Sequence, residues 1–171
     1  MLIAPCVYPW RCIIAAQVFP AREPRSQVSV TPSIAEAVES PASREEQAKQ
    51  RERIESARLF SIDAARLAAA THCNNIVVLD VSAISPITDF LVIATGTSPR
   101  QMRSVCDEIE EFGGPRGFKS MSKPGYEGDH WILIDFMDVV VHLFNAEARA
   151  FYDLENLWGD GRKIEWAKSA G

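Results

Sequence analysis

From about residue 61 onwards, short β-branched runs alternate with stretches of helical spacing, whereas the first 56 residues carry neither pattern. In residues 61–71, Ile62, Ala65, Leu67, Ala68 and Ala69 combine apolar spacing with Ala-rich propensity and predict a helix, which Asn74-Asn75 ends. The run Ile76-Val77-Val78-Leu79-Asp80-Val81 predicts a buried strand. A second strand follows over residues 88–95 and stops at Gly96. Ser98-Pro99-Arg100-Gln101 then sets a cap serine, a first-turn proline and a glutamine three residues after the cap, the pattern of a capping box. The helix it opens aligns Met102, Val105, Cys106, Ile109 and Phe112 on one face and is terminated by Gly113-Gly114-Pro115.

Residues 118–121 predict a weaker strand, followed by a Gly- and Pro-containing loop over 123–128. Residues 131–136 and 139–144 are separated by only Met137-Asp138, which predicts an antiparallel hairpin. A closing helix over 147–157 is expected to turn Ala150, Phe151, Leu154 and Leu157 inward. Two strand–helix units followed by a hairpin and a helix imply an α/β (α+β) fold, a mixed β-sheet flanked by helices.

Composition separates the chain into two parts. All nine glycines lie at or beyond Gly96, while six of the ten prolines fall within the first 41 residues. Residues 1–20 are apolar, but Pro5, Pro9 and Arg11 interrupt them, so neither a secretory leader nor a bilayer span is expected there, and a transit peptide or a misplaced start are the alternatives. Residues 26–41 read as linker, and the charges crowded over 43–58 as a solvated helix or charged tether. The expected organisation is therefore a disordered or charged extension over 1–56 and a folded domain over 57–171. Before Ser56 seven basic residues balance seven acidic ones; after it eleven basic face sixteen acidic, so the domain carries the whole net charge of −5. An acidic domain is ill suited to holding phosphate backbone and well suited to a basic protein partner. Cys6, Cys12, Cys73 and Cys106 form no C-x-x-C pair, and Cys73 and Cys106 read as buried apolar groups in a reducing compartment.

Three chemistries have candidate residues in the sequence. Thr95-Gly96-Thr97-Ser98 at a strand-to-helix junction resembles a phosphate cradle, yet no Gly-rich nucleotide motif accompanies it, and a cap plus a glycine there serves structure alone. Nucleotidyltransferases need a close carboxylate pair for magnesium; Asp135 and Asp138 have the wrong spacing across a turn. Asp129, His130, Asp135, Asp138 and His142 could supply metal ligands, but strand positions scatter them, so no metal, cofactor or catalytic centre is expected. Aromatics, by contrast, crowd the last third beside acidic residues: Trp131, Phe136, Phe144, Phe151, Tyr152 and Trp158. That mixture suits a protein-binding face as well as a core.

Residues 75–158 resemble the ribosomal silencing factor, or Iojap-related, family. The likeness rests on Val78-Leu79-Asp80-Val81, on Ile87-Thr88-Asp89-Phe90-Leu91-Val92-Ile93-Ala94-Thr95-Gly96-Thr97-Ser98 with Arg100-Gln101, on Trp131-Ile132-Leu133-Ile134-Asp135-Phe136, on Asp138-Val139-Val140-Val141-His142-Leu143-Phe144, and on residues 149–158. The resemblance implies a nucleotidyltransferase-like fold without the metal carboxylates. It also implies docking on the large ribosomal subunit through ribosomal protein L-fourteen, which blocks the small subunit and represses translation. Met137 departs from the family, which usually has glycine there. The docking contacts are expected at the hairpin ends and the adjoining helix, around Trp131, Asp135, Asp138, Phe151 and Tyr152, with no membrane and little direct nucleic-acid contact. The cytoplasm is the expected location, a mitochondrion or plastid the alternative, and a homodimer of the free protein is left open.

Overall fold

A 30-residue helix, α1 (Pro41–Ala70), runs unbroken through the position where a change from tether to domain was expected. The structure, a computed structural model, describes residues 41–167; the apolar segment over 1–20 and the predicted linker over 26–41, but for Pro41, lie outside them. The charged stretch is helical because Glu, Gln, Lys, Arg and Ala all favour helix, and pairs such as Arg58 with Glu55 and Arg66 with Asp63 link successive turns. From Arg44 to Arg53 it is exposed, after which Ala57, Phe60, Ala64, Ala65 and Ala68 are buried. The helix stops at His72, ahead of the expected Asn74-Asn75. His72 takes φ 63°, its N–H donates to the Ala69 carbonyl, and the Cys73 N–H donates to that of Ala68, the paired bonds of a Schellman stop with histidine where glycine is usual.

Five strands follow: β1 (Asn74–Asp80), β2 (Phe90–Thr95), β3 (Trp131–Asp135), β4 (Val139–Phe144) and the short β5 (Arg162–Lys163). They form one sheet in the order β3-β4-β2-β1-β5, with β2 and β4 parallel and all other pairs antiparallel. Strand alternation gives the sheet two dressed faces. On one, Val78, Val92, Ala94, Ile132, Ile134, Val141 and Leu143 pack beneath α1 and α2 (Pro99–Gly113). On the other, Leu79, Leu91, Ile93 and Phe144 pack with Ala148 and Leu154 from two short helices, α3 (Ala146–Tyr152) and α4 (Leu154–Leu157). Central β2 is buried throughout, which explains its continuous apolar run.

The expected helix face on α2 is observed, with Met102, Val105, Cys106 and Ile109 buried. Its cap differs in detail: Ser98 accepts the Gln101 N–H, while the Gln101 side chain reaches the Thr97 N–H at 2.6 Å and donates to the Thr71 carbonyl at 2.6 Å. One glutamine thereby locks the start of α2 to the end of α1.

Two expected elements are corrected. Residues 118–121 form no strand: Gly117 at φ 87° turns the chain, and only Ser122 makes a bridge, with Asp135. The segment instead runs along the outer margin of β3, where Met121 N donates to Asp135 O, Asp135 N to Ser122 O and Leu133 N to Pro124 O. At the opposite margin β5 covers β1, with the Ile164 N–H on the Val78 carbonyl and the Trp166 indole on that of Ile76. The helix expected over 147–157 is broken at Asp153, whose φ of 42° ends α3 and redirects α4. Ala150, Phe151 and Leu157 consequently face solvent, and of the four residues expected inward only Leu154 is buried.

The hairpin turn of β3 and β4 places Met137 at φ 68°, and the Asp135 carboxylate accepts the Met137 N–H at 2.8 Å. A side chain in the left-handed region costs about 1–2 kcal/mol, partly offset in glycine by the unfolded chain's greater freedom. Met137 is 62% exposed and has little packing to lose. Met137→Gly is therefore expected to stabilise the domain by about 0.5–1 kcal/mol, read as a higher denaturant midpoint; an unchanged or lower midpoint contradicts strain at this turn.

Candidate protein-docking site

The end of the sheet where β3 begins and β4 finishes carries an aromatic cluster. Register sets Trp131 opposite Phe144, and α3 brings Tyr152 over both. Ring centroids lie 4.8 Å apart for Trp131–Phe144, 4.9 Å for Trp131–Tyr152 and 5.0 Å for Tyr152–Phe151, the last pair edge to face. Phe144 is buried, Trp131 and Tyr152 are half-buried, and Phe151 stands 75% exposed at the outer edge. An exposed phenylalanine braced on half-buried aromatics is preorganised to enter a partner's pocket.

The break at Asp153 positions that edge, and a single guanidinium holds it. Arg149, whose side chain is 12% exposed, donates to Thr95 Oγ1 at 2.7 Å and pairs with Glu155 through Nε at 3.1 Å and through a second nitrogen. One cation thus joins the end of β2 to both short helices across the break. The shallow cleft of about 430 Å³ beside it is lined by Asn75, Thr95, Arg149, Asp153 and Glu155, and Glu155 already answers the cation that an anionic ligand would need.

Of the five residues expected at the docking face, the structure brings Trp131, Phe151 and Tyr152 together and sets Asp135 and Asp138 apart. Trp131 and Asp135 are four strand residues apart, about 13 Å. Asp135 caps the hairpin turn, and Asp138 is ion-paired with Arg53 of α1, which also reaches Asp89 at 3.1 Å. Burial raises the Asp89 carboxyl above its ordinary value despite Arg53. These two acids serve the far end of the sheet. Acidic groups nearer the aromatics are Glu147 and Asp153, both exposed.

Beneath the cluster lies His142, 7% exposed on β4, whose Nδ1 accepts the Trp131 indole N–H at 3.2 Å. Burial pushes its pKa down to about 3, so it is neutral at physiological pH. Asp135 and His142 do lie on one face, since His142 pairs with Leu133, two residues before Asp135 on β3, but their hydrogen bonds go to the turn and to Trp131. Among the described residues no three His, Cys, Asp or Glu side chains gather as a metal site. Cys73 and Cys106 are buried free thiols, as expected, pushed up to about 11 and about 12 by desolvation.

At the Thr95–Ser98 turn two backbone donors, those of Gly96 and Thr97, are bonded within the fold, as is the Gln101 N–H of the first helical turn. Gly96 N donates to Phe144 O, Thr97 N to Gln101 Oε1, and Gln101 N to Ser98 Oγ. Glycine is needed here for packing, since a Cβ at Gly96 would lie 2.3 Å from Met102 Cγ. No helix among the described residues is long and apolar enough to cross a membrane.

Residues 53–170 match the family described as ribosomal silencing factor during starvation. A ribosomal silencing factor of Halalkalibacterium halodurans is 40% identical over 90 residues, 53% of this chain and 77% of that protein. The chloroplastic Iojap protein of Zea mays is 32% identical over 106 residues, 62% of this chain and 46% of the maize protein. A crystal structure from Chromobacterium violaceum superposes with a TM-score of 0.56 at 30% identity, covering 69% of this chain and 95% of its own.

Proposed function

The chain belongs to the ribosomal silencing factor family, and we infer that it represses translation by docking on the large ribosomal subunit and blocking its association with the small one. The observation that supports this reading is the braced aromatic edge of Trp131, Tyr152 and exposed Phe151, flanked by Glu147 and Asp153 on a domain of acidic balance. Such a surface fits a basic ribosomal protein, and L-fourteen is the proposed partner. No catalytic step is proposed: the Gly96 and Thr97 N–H groups of the turn that resembles a phosphate cradle are bonded within the fold. The proposed place of action is the cytoplasm; an organelle with its own ribosomes, as for the chloroplastic relatives of Zea mays and Arabidopsis thaliana, is the alternative.

The test is sedimentation with purified subunits. The chain should comigrate with large subunits and lower the yield of joined ribosomes; remaining at the top of the gradient while joining proceeds normally overturns the reading.

We further propose that docking needs the helix from Pro41 but not the residues before it. Removing residues 1–40 should leave subunit binding intact. Removing 1–56 deletes Arg53, with its links to Asp89 and Asp138, and Ile54, which packs on the core. That cut is expected to cost about 1–3 kcal/mol of folding stability, since exposed ion pairs contribute under about 1 kcal/mol each and the apolar contact adds to them. Equal denaturation midpoints for the two truncations would show that the first turns of α1 contribute nothing.

A further inference from the structure

We propose that His142 is a positioning residue for docking: its Nδ1 accepts the Trp131 indole N–H and thereby sets which edge of the indole is presented beside Tyr152. This rests on the aromatic edge being the docking surface.

The strand carrying the histidine is otherwise wholly apolar, Val139-Val140-Val141-His142-Leu143-Phe144. Among the buried described residues, the polar or charged ones are Ser61, Thr88, Thr95 and His142, so this imidazole is the only acid–base side chain in that set apart from the cysteines. Burying an imidazole where an aliphatic or phenyl group would pack carries a desolvation cost, so packing alone gives no reason for it. What it adds is an acceptor. The imidazole lies nearly parallel to Phe144, with centroids 6.0 Å apart and planes at 7°, and tilts 33° from Trp131 at 5.5 Å. A phenyl ring could repeat both contacts and could not accept the indole proton.

Trp131 sits opposite Phe144 and His142 opposite Leu133, so the bond runs diagonally across the hairpin on the face away from α1 and α2. In that diagonal the indole has one orientation with its N–H on the histidine. The reverse orientation gives up that bond. With Nδ1 as acceptor, the neutral ring carries its proton on Nε2. Tyr152 packs on the indole face and Phe151 packs edge-on against Tyr152, so the orientation is passed outward to the exposed ring through two contacts.

The test combines a double-mutant cycle with a measurement on the free protein. His142→Phe is expected to fold at neutral pH and to bind large subunits about three- to tenfold more weakly, the net value of one hydrogen bond. His142→Asn, which returns an acceptor oxygen near the Nδ1 position, should recover binding to within about twofold. In a Trp131→Phe background, which removes the donor, His142→Phe should change binding no further. In the free wild-type protein, nitrogen-15 NMR should show the Nε2–H tautomer at His142, and the indole proton of Trp131, assigned by its loss in Trp131→Phe, should exchange faster with water in His142→Phe. A proton on Nδ1, or an indole resonance unmoved by His142→Phe, overturns the proposal irrespective of docking. Wild-type affinity for a folded His142→Phe also overturns it. Should that variant fail to fold, the wild-type tautomer and the effect of Trp131→Phe on affinity decide the matter. Undiminished binding by Phe151→Ala would instead count against the docking face itself.

Discussion

Acidification from pH 6.5 to 4.5 is expected to lower the folding stability of this domain by about 2–3 kcal/mol, and His142→Phe is expected to remove most of that loss. In the folded state His142 titrates at about 3 and in the unfolded chain near the ordinary 6.5. The unfolded state therefore binds the extra proton throughout this window. The contribution is complete above pH 6.5 and declines as the pH falls towards 3, at about 1.4 kcal/mol per unit. Asp80 and Glu110, both lowered, have the same sign, but their share is lost only where carboxylates titrate, at the acid end. Asp89, raised by burial, acts in the opposite direction there. Chemical denaturation at half-unit pH intervals gives the slope; parallel profiles for wild type and His142→Phe would show that the histidine is not the titrating group. A separate alkaline decline belongs to Cys73 and Cys106, whose stabilisation is lost as the pH rises from 9 towards about 11 and 12.

Phe151→Ala is expected to leave folding stability within about 0.5 kcal/mol and to weaken large-subunit binding by about 2 kcal/mol or more, roughly thirtyfold. The ring is 75% exposed, so its removal opens no cavity. Tyr152→Ala is the poorer probe, because Tyr152 packs on both Trp131 and Phe144 and its truncation disturbs the fold as well. Reversing Asp138 is poorer still: a lysine there would face Arg53, and weakened binding could follow from a displaced α1. Affinity measured by gradient or surface capture, beside a thermal melt, separates the effects. Wild-type affinity of a folded Phe151→Ala protein would rule out this edge as the docking surface.

The four longer strands were legible because each has a β-branched run and a clear stop, and the core face of β3, Ile132 and Ile134, follows from simple alternation. The start of α2 was legible from its serine, proline and glutamine. What escaped was set by backbone conformations that residue type does not announce. His72, Asn75, Met137 and Asp153 all take positive φ without being glycine, and they end α1, kink the start of β1, turn the hairpin and break the last helix. The break at Asp153 reversed the burial expected for Phe151, and so moved it from a presumed core position to the outer edge of the candidate site. Asp135 and Asp138 were grouped with the aromatics because they are near in sequence, whereas a strand separates its two ends by its full length. A sequence signal for the Asp138–Arg53 pair does not exist across 85 positions. Neither does one for β5 and Trp166, which follow glycine-rich sequence and owe their place to the open margin of β1.

Among the described residues, loop residues 121–124 occupy part of one margin of the sheet and β5 with Ile164 part of the other, so less main-chain edge is left to recruit a foreign strand. Main-chain pairing with a partner, the mode that produces tenacious strand addition and fibrils, is thereby disfavoured at both margins. Encounters are turned towards side-chain contact, whose strength can be graded one residue at a time. A protein built this way can let go of a partner without unpairing any strand of its own.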